Sequence, residues 1–212
     1  MQQMKKTPFF VIDGGDGVGK STLITRLKKY FGERLVATRE PGGCPRAEAI
    51  RAEIFAHAEW STQQQFNEFW RARGYHIEDT ILPAIKAGKI VISDRFDSST
   101  FAYQIWEKKH PELIESFWEQ RREVIGKMEP QLYLYLNLDV ETGLERKAQV
   151  AGKGGEVTHF DMASVDAHKR RQEGYMTFFG YLPRDQTVII DASQSEDKVF
   201  ADVVKILESH LD

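Results

Sequence analysis

The fold is decided by the stretch Gly14-Gly15-Asp16-Gly17-Val18-Gly19-Lys20-Ser21, which matches the pattern G-x-x-x-x-G-K-[ST]. An apolar run of strand character, residues 8–13, precedes it, and a segment of helical period, residues 20–31, follows it. Glycines let a backbone curl around phosphate so that successive N–H groups point inward, and the N-terminus of the next helix favours the anion. The stretch therefore predicts a phosphate-binding loop between a strand and a helix.

Within this loop, two side chains carry specific chemistry. Lys20 supplies a positive charge to the outer phosphates of a nucleotide, and the hydroxyl of Ser21 is suited to bind Mg²⁺. The loop by itself does not say what is done with the nucleotide. A GTPase would carry an Asn-Lys-x-Asp element after a later strand, and the sequence contains none.

The rest of the chain alternates short apolar runs with longer segments of helical period. Strands are predicted at residues 8–13, 34–38, 89–94, 131–139 and 186–191. Helices are predicted at residues 20–31, 47–57, 62–86, 112–127, 141–150, 164–179 and 196–210. This order predicts an α/β protein of three layers, a P-loop NTPase fold with a five-stranded parallel sheet flanked by helices. We expect residues 1–212 to form one domain, with a glycine-rich mobile lid at about residues 150–165.

Composition excludes several other classes of protein. The 212 residues are 41% hydrophobic and 29% charged, which is ordinary for a globular chain and unlike a disordered one. A formal net charge of −3 gives no sign of a nucleic-acid or membrane-surface partner. The one cysteine, Cys44, has no internal partner, and no apolar stretch reaches the length of a membrane span. We therefore expect a cytoplasmic protein.

Charged residues follow the second and third predicted strands. Arg39 comes after one strand, Asp94 ends the other, and Arg95 follows it. Parallel strands end at the same edge of a sheet, where ligands bind, so two guanidinium groups there are expected to converge on one phosphate. Asp94 is well placed to hold Mg²⁺, directly or through water. We therefore expect that, besides the nucleotide at the P-loop, the protein binds a second substrate that also carries a phosphate group.

Four motifs make the sequence resemble a known family. They are Asp13-Gly14-Gly15-Asp16-Gly17-Val18-Gly19-Lys20-Ser21-Thr22, Thr38-Arg39-Glu40-Pro41-Gly42-Gly43, Asp94-Arg95-Phe96 and Ala102-Tyr103-Gln104. In this order and spacing they resemble the thymidylate kinase family of P-loop nucleoside monophosphate kinases. The resemblance is clear from about residue 9 to residue 104 and weaker towards the C-terminus. It implies transfer of the γ-phosphoryl group of ATP to dTMP with Mg²⁺, in the supply of dTTP, by a homodimer.

The resemblance also implies roles for individual residues. An aromatic ring at Phe69 stacks on thymine, Arg73 donates to its 4-oxygen, Tyr103 lies beneath the deoxyribose, and Asp16 approaches the 3′-hydroxyl. The residues expected to bind dTMP are Asp16, Arg39, Phe69, Arg73, Arg95, Thr100, Tyr103 and Gln104. Those expected to bind ATP are Gly14, Gly15, Asp16, Gly17, Val18, Gly19, Lys20, Ser21, Thr22 and Arg146. Lys20, Arg39 and Arg95 are the expected catalytic cations, with Ser21 and Asp94 at the metal.

One position departs from the family pattern. Members place a catalytic arginine in the P-loop or in the lid, and here the two positions hold Gly17 and His159. We therefore hypothesise that Arg170 or Lys153 neutralises charge on the transferred group. Two alternatives stay open: a kinase for dUMP or a modified dUMP, and a nucleotide-binding regulator without turnover.

Overall fold

The computed structural model describes residues 7–126, 128–150, 160 and 162–211. Their five strands form one parallel sheet in the order β2-β3-β1-β4-β5. The strands are β1 (Phe9–Gly14), β2 (Leu35–Arg39), β3 (Ile90–Asp94), β4 (Leu132–Asn137) and β5 (Thr187–Asp191). All five predicted strands are confirmed, as is the predicted parallel sheet.

Helices connect the strands and cover the sheet. They are α1 (Lys20–Phe31), α2 (Pro45–Ala56), α3 (Thr62–His76), α4 (Leu82–Lys86), α5 (Asp97–Thr100), α6 (Leu113–Gln120), α7 (Val140–Val150), α8 (Val165–Gly180) and α9 (Glu196–Leu211). Three π-helical segments extend them: Ile77–Ile81 joins α3 to α4, Phe101–Glu107 continues α5, and Arg121–Ile125 continues α6. Short 3₁₀ turns at Gly32–Arg34 and Arg184–Gln186 lead into β2 and β5.

The central strand, β1, has both faces buried, which is why its sequence reads as a continuous apolar run rather than an alternating one. Phe9 and Val11 belong to the core on one side of the sheet. Phe10 and Ile12 belong to the core on the other side. Because successive side chains of a strand point to opposite faces, this one strand joins the two helical layers to the sheet.

A helix at residues 97–107 is the main element that the sequence reading did not predict. It begins with Asp97-Ser98-Ser99-Thr100, residue types that favour caps and turns over helix interiors. Tertiary packing overrides this preference, because α8 lies closely against the segment at Gly174. A Cβ at Gly174 would lie 2.8 Å from the Cα of Ala102, so only glycine permits this approach.

The predicted lid lies mostly outside the described residues, and so do Lys153 and His159. Phe160 and residues 162–164, which precede α8, are described. Among the described residues, no helix combines the length and the apolar character needed to cross a membrane.

Candidate active site

The P-loop joins β1 to α1, as its pattern predicts. Gly14, Gly17 and Gly19 all have positive φ angles, of 149°, 69° and 93°. The loop wraps around the side chain of Lys20, whose Nζ donates to the carbonyl oxygens of Gly14 at 2.9 Å and Gly15 at 2.7 Å. The ammonium group therefore lies within the loop that is expected to hold phosphate.

Burial and neighbouring charges shift the pKa of two groups at this loop. Burial, together with the nearby cation Arg95, lowers the pKa of Lys20 to about 8. Burial raises the pKa of Asp13, at the end of β1, to about 6, although its carboxylate accepts hydrogen bonds from Ser98 and Ser99. Lys20 therefore begins to lose its charge within the working pH range of an ordinary enzyme assay.

This shift predicts a pH dependence for nucleotide binding. Only the protonated form of Lys20 attracts phosphate, so kcat/KM for ATP should fall about tenfold per pH unit above about pH 8, the pKa of Lys20 in the free protein. The fall in kcat should come at higher pH, because bound phosphate stabilises the ammonium form. Initial rates measured from pH 6 to pH 10 check this, and a kcat/KM that stays flat to pH 9.5 would contradict it.

The P-loop also touches α7 at a glycine–glycine contact. A Cβ at Gly17 would lie 1.8 Å from the carbonyl oxygen of Gly143, and a Cβ at Gly143 would lie 2.5 Å from that of Asp16. No side chain fits at position 17 unless α7 moves. In this chain the contact with Gly143 therefore leaves no room for an arginine at position 17.

The contact predicts a difference between two otherwise similar glycine variants. Gly17 and Gly19 both have positive φ, but a Cβ at Gly19 would meet nothing within 4 Å. We expect Gly17→Ala to lower the free energy of unfolding by roughly 1–3 kcal/mol more than Gly19→Ala, because only the former forces backbones apart. Urea denaturation of both variants measures this, and equal losses would argue against the contact.

A cavity of about 230 Å³, here called the central cavity, lies beside the P-loop. Of the eight residues expected to bind dTMP, seven line it: Asp16, Phe69, Arg73, Arg95, Thr100, Tyr103 and Gln104. They come from the P-loop, α3, the end of β3 and the helix at residues 97–107. The structure thus brings together residues from distant parts of the sequence, the first and last of which, Asp16 and Gln104, are 88 positions apart.

Arg73 is held in the wall of the central cavity by a buried network. Its Nε donates to Glu40 Oε2 at 2.9 Å, and its Nη2 donates to Thr100 Oγ1 at 3.0 Å. The other oxygen of Glu40 lies 3.0 Å from Nδ1 of His76, whose Nε2 lies 2.7 Å from Thr38 Oγ1. The guanidinium is therefore fixed in position before any ligand binds.

Two buried nitrogen donors on residues that line this cavity have no hydrogen-bond partner in the described part of the chain. Nη1 of Arg73 and Nε2 of Gln104 make no hydrogen bond to the described residues, although both side chains are almost fully buried. Leaving a buried polar group unpaired costs roughly 1–3 kcal/mol, and more for a charged one. Unpaired donors in the wall of a cavity are therefore expected to meet hydrogen-bond acceptors of a ligand.

Arg95 is fixed at the end of β3. Its Nη1 donates to the Tyr175 hydroxyl at 2.6 Å, and Ser99 Oγ lies 2.6 Å from the same hydroxyl. Its backbone has a φ of 69°, unusual for a residue other than glycine, with the amide donating to the Ile12 carbonyl at 3.1 Å. Arg95 therefore presents a preorganised positive charge to the central cavity.

Arg39, the eighth expected residue, does not line the central cavity with the others. Its Nη2 donates to both carboxylate oxygens of Glu48 on α2, each at 3.0 Å, and its side chain is half exposed. It lines a more open cleft beside the sheet edge, here called the edge cleft. Arg39 and Arg95 thus line different cavities, and their convergence on one phosphate stays a prediction.

The residues expected to hold a metal do lie together. Ser21 and Asp94 both line the edge cleft, and Oδ1 of Asp94 is buried without a hydrogen-bond partner. No cluster of three or more His, Cys, Asp or Glu side chains that would bind a metal occurs in the described part of the chain. A carboxylate and a hydroxyl fit Mg²⁺ that takes its remaining ligands from phosphate and water.

A second cleft, here called the loop cleft, follows the P-loop on the side of α7 and α9. Residues 16–22 of the P-loop and α1 line it together with Arg146, Lys147 and residues 192–196. Arg146 donates to the carbonyl oxygen of Ala192 at 3.1 Å, which ties α7 to the segment after β5. Asp16 lines both the loop cleft and the central cavity, so the two sites adjoin at this residue.

Two residues of the site, Arg171 and Phe160, were not predicted from the sequence. Arg171 on α8 lines the central cavity, pairs with buried Glu107 at 2.7 Å, and places its guanidinium 4.4 Å from the ring centre of Tyr103. It also donates to the Phe160 carbonyl at 3.0 Å, and the Phe160 ring lines the cavity with its centre 6.3 Å from that of Phe69. The only signal in the sequence was a basic run on α8, which does not say which residue faces inward.

Arg170, the hypothesised cation next to Arg171, points elsewhere. Its Nε donates to the backbone carbonyl oxygen of Glu107 at 3.2 Å, and it is absent from the linings of the central cavity and the loop cleft. On the helix, adjacent residues point about 100° apart, so only one of the two arginines reaches the cavity. The role of Arg170 stays a prediction.

The P-loop follows the central strand of a parallel sheet, and Asp16 lines both the loop cleft and the separate central cavity. This arrangement is that of P-loop kinases, which hold two phosphorylated substrates side by side. Comparison with known proteins specifies the family within this class. The family model for thymidylate kinase matches residues 12–203. This chain belongs to the thymidylate kinase family, whose members are ATP-dependent nucleoside monophosphate kinases.

Individual relatives agree with the family match. The chain is 35% identical to the thymidylate kinase of Bacillus cytotoxicus, with 96% of this chain and 98% of that one covered. It is 37% identical to that of a Geobacillus species, with 92% and 93% covered. The crystal structure of thymidylate kinase from Ehrlichia chaffeensis has the same fold, with a TM-score of 0.75 at 23% identity and with 95% and 98% of the two chains covered.

Proposed function

We propose that this protein transfers the γ-phosphoryl group of ATP to dTMP, giving dTDP and ADP. The observation that carries the proposal is that Arg73 and Gln104, which line the central cavity, each have a buried donor, Nη1 and Nε2, without a hydrogen bond to the described residues. A flat ring that enters beside Phe69 and offers carbonyl oxygens to these donors would satisfy both. Thymine and uracil have such an edge.

The same donors argue against other bases. Arginine cannot accept a hydrogen bond, so Arg73 would leave the 4-amino group of cytosine facing a donor. The cost of such unpaired polar groups is what gives a hydrogen-bonding site its discrimination. Tyr103, whose ring lines the same cavity, is proposed to lie beneath the deoxyribose and to disfavour a 2′-hydroxyl.

At the phosphate end, the proposed chemistry needs charge and positioning rather than a base. An acceptor phosphate is already ionised, so catalysis comes from alignment and from neutralising charge in the transition state. Lys20 would bind the outer phosphates of ATP, and Arg95 would bind the phosphate of dTMP. The hydrogen bonds from Arg95 to Tyr175 and Ser99 support this, because they fix the guanidinium in advance.

We propose Mg²⁺ as the metal, held by Ser21 and Asp94 together with phosphate oxygens and water. When bound, it would neutralise charge on the nucleotide phosphates. Arg39 lines the same edge cleft and would reach the acceptor phosphate only by leaving Glu48. Binding of dTMP is therefore proposed to exchange one carboxylate partner of Arg39 for a phosphate.

Arg170 and Lys153 remain proposals for the charge-neutralising role. If either fills it, the corresponding Met variant should lose on the order of 10²-fold in turnover, the usual cost of removing one charged donor from a transition state. Steady-state kcat of both variants measures this. If neither loses more than about threefold, the hypothesis is wrong.

A panel of acceptors tests the function itself. ADP release is measured with ATP and, in turn, dTMP, dUMP, dCMP, dAMP and dGMP. We expect dTMP to give the largest kcat/KM. A larger value for dUMP would favour the deoxyuridylate alternative, and ATP binding without turnover of any acceptor would mean that the protein is a regulator.

Assembly and location are proposed on the family resemblance. We propose a homodimer that is located in the cytoplasm. Light scattering of the purified protein tests the dimer, and a monomer at micromolar concentration would reject it.

A further inference from the structure

A lysine that no motif singles out lies at the boundary between the two substrate sites. Lys147, on α7, lines the loop cleft, and its Nζ donates to Asp16 Oδ2 at 2.9 Å. Asp16 lines both the loop cleft and the central cavity. Any group that passes from a nucleotide in the loop cleft to an acceptor in the central cavity therefore passes close to this ammonium.

The glycine–glycine contact explains how α7 brings Lys147 there. Gly143 and Lys147 are four residues apart on α7, so they share one face of the helix. Gly143 packs on Gly17 so closely that position 17 has no room for a side chain. One helix thus excludes a cation from position 17 and supplies one beside residue 16.

The charges around Asp16 suit a cation that changes partners. Its carboxylate also faces Arg95 Nη2 at 3.6 Å and His168 Nδ1 at 4.0 Å. If Lys147 moved away, the carboxylate would still be next to the guanidinium of Arg95. A lysine on a flexible four-carbon stem moves easily between a carboxylate and a phosphate, since it binds both as a point charge.

We propose that Lys147 is a catalytic residue whose ammonium contacts the transferred phosphoryl group and neutralises its charge in the transition state. In this step an oxygen of the acceptor phosphate forms a bond to the γ-phosphorus. The bond from that phosphorus to the bridging oxygen breaks, and its electron pair stays on the β-phosphate of ADP. Lys147 neither gains nor loses a proton in this step. The inference rests on the proposed phosphoryl transfer.

The residues hypothesised from the sequence differ from Lys147 in placement. Arg170 is engaged with the Glu107 carbonyl, away from both linings, and Lys153 lies outside the described residues. Lys147 lies on a regular helix packed against the P-loop. A catalytic group is positioned more accurately by such an element than by a loop.

Kinetics of paired variants test the proposal. We expect Lys147→Met to lower kcat on the order of 10²-fold, with KM for ATP and for dTMP within about threefold, and Lys147→Arg to restore most of the activity. Lys169→Met is the matched control, because Lys169 on α8 pairs with Glu141 at 2.6 Å on the surface. It should behave as the unchanged protein.

A binding measurement separates contact with the phosphoryl group from an effect through Asp16. Aluminium fluoride with ADP, Mg²⁺ and dTMP mimics the group in transfer. Lys147→Met should weaken this complex on the order of 10²-fold, while ADP and dTMP bind separately as before. A kcat loss below about threefold, a loss confined to KM for dTMP, or unchanged affinity for the mimic would each overturn the proposal.

The outcomes also separate this inference from the proposed function. Failure of the unchanged protein to phosphorylate any nucleoside monophosphate would overturn both. Turnover of dTMP that survives Lys147→Met would overturn the role of Lys147 alone.

Discussion

Lys20→Met should lower kcat/KM for ATP on the order of 10³-fold. The Lys20 ammonium lies inside the P-loop, within 2.9 Å of two backbone carbonyl oxygens, where it is partly buried. A charge that stabilises a transferring phosphoryl group in such a place contributes on the order of 10²–10³ in rate. The loss of its attraction for ATP in the ground state brings the expected effect to the upper end of that range.

Steady-state kinetics with varied ATP measures this effect, and Lys29→Met is the control. Lys29 is an exposed residue in the last turn of the same helix, α1. It carries the same charge without contact to the P-loop. A Lys20→Met enzyme within tenfold of the unchanged protein would mean that the P-loop does not hold the transferred phosphates.

Arg73→Met should lower kcat/KM for dTMP on the order of 10²–10³-fold. The substitution removes the unpaired donor Nη1 and leaves Glu40 as a buried carboxylate with His76 as its remaining hydrogen-bond partner. A hydrogen bond to a charged group contributes about 1.5–3 kcal/mol, and loss of the rigid wall adds to it. Breaking a buried ion pair should also lower the free energy of unfolding by roughly 3–5 kcal/mol.

Two further variants separate binding from stability. Arg71→Met changes the same helix, but Arg71 is exposed and pairs with Glu68 at 2.5 Å, so dTMP kinetics should not change. Arg73→Lys keeps a cation near Glu40 but lacks the planar guanidinium. Compared with Arg73→Met, it should therefore recover more of the free energy of unfolding than of kcat/KM for dTMP. If Arg73→Met leaves the preference for dTMP over dCMP unchanged, Arg73 does not read the base.

Local patterns predicted the nucleotide loop well, because its chemistry is contiguous in sequence. Eight successive residues, Gly14 to Ser21, supply the turn, the cation and the hydroxyl, and the strand and helix on either side occur as predicted. The central cavity was also assembled largely as expected. Four of its seven expected residues, Asp16, Arg95, Tyr103 and Gln104, belong to the motifs that carried the resemblance, whereas Phe69, Arg73 and Thr100 lie outside them.

Pairing between distant residues was not predictable in the same way. The ion pair between Arg39 and Glu48 was not predicted, because nothing in the sequence shows which carboxylate faces a given arginine. Arg171 faces the cavity while Arg170 does not, because their directions depend on how α8 packs against the helix at residues 97–107. That helix was not predicted either, since its two serines and one threonine are poor helix formers.

The sequence by itself determined the family, the three-layer fold and the loop proposed to hold phosphate, because strand, glycine loop and helix follow one another directly along the chain. Only the tertiary structure decided which charges meet at the junction of the two sites. Gly17 and Gly143 are ordinary glycines in the sequence, and Lys147 is one of many lysines. Their roles depend on the packing of α7 on the P-loop. The close approach of the two backbones leaves no room for a side chain at Gly17 and brings Lys147 to Asp16.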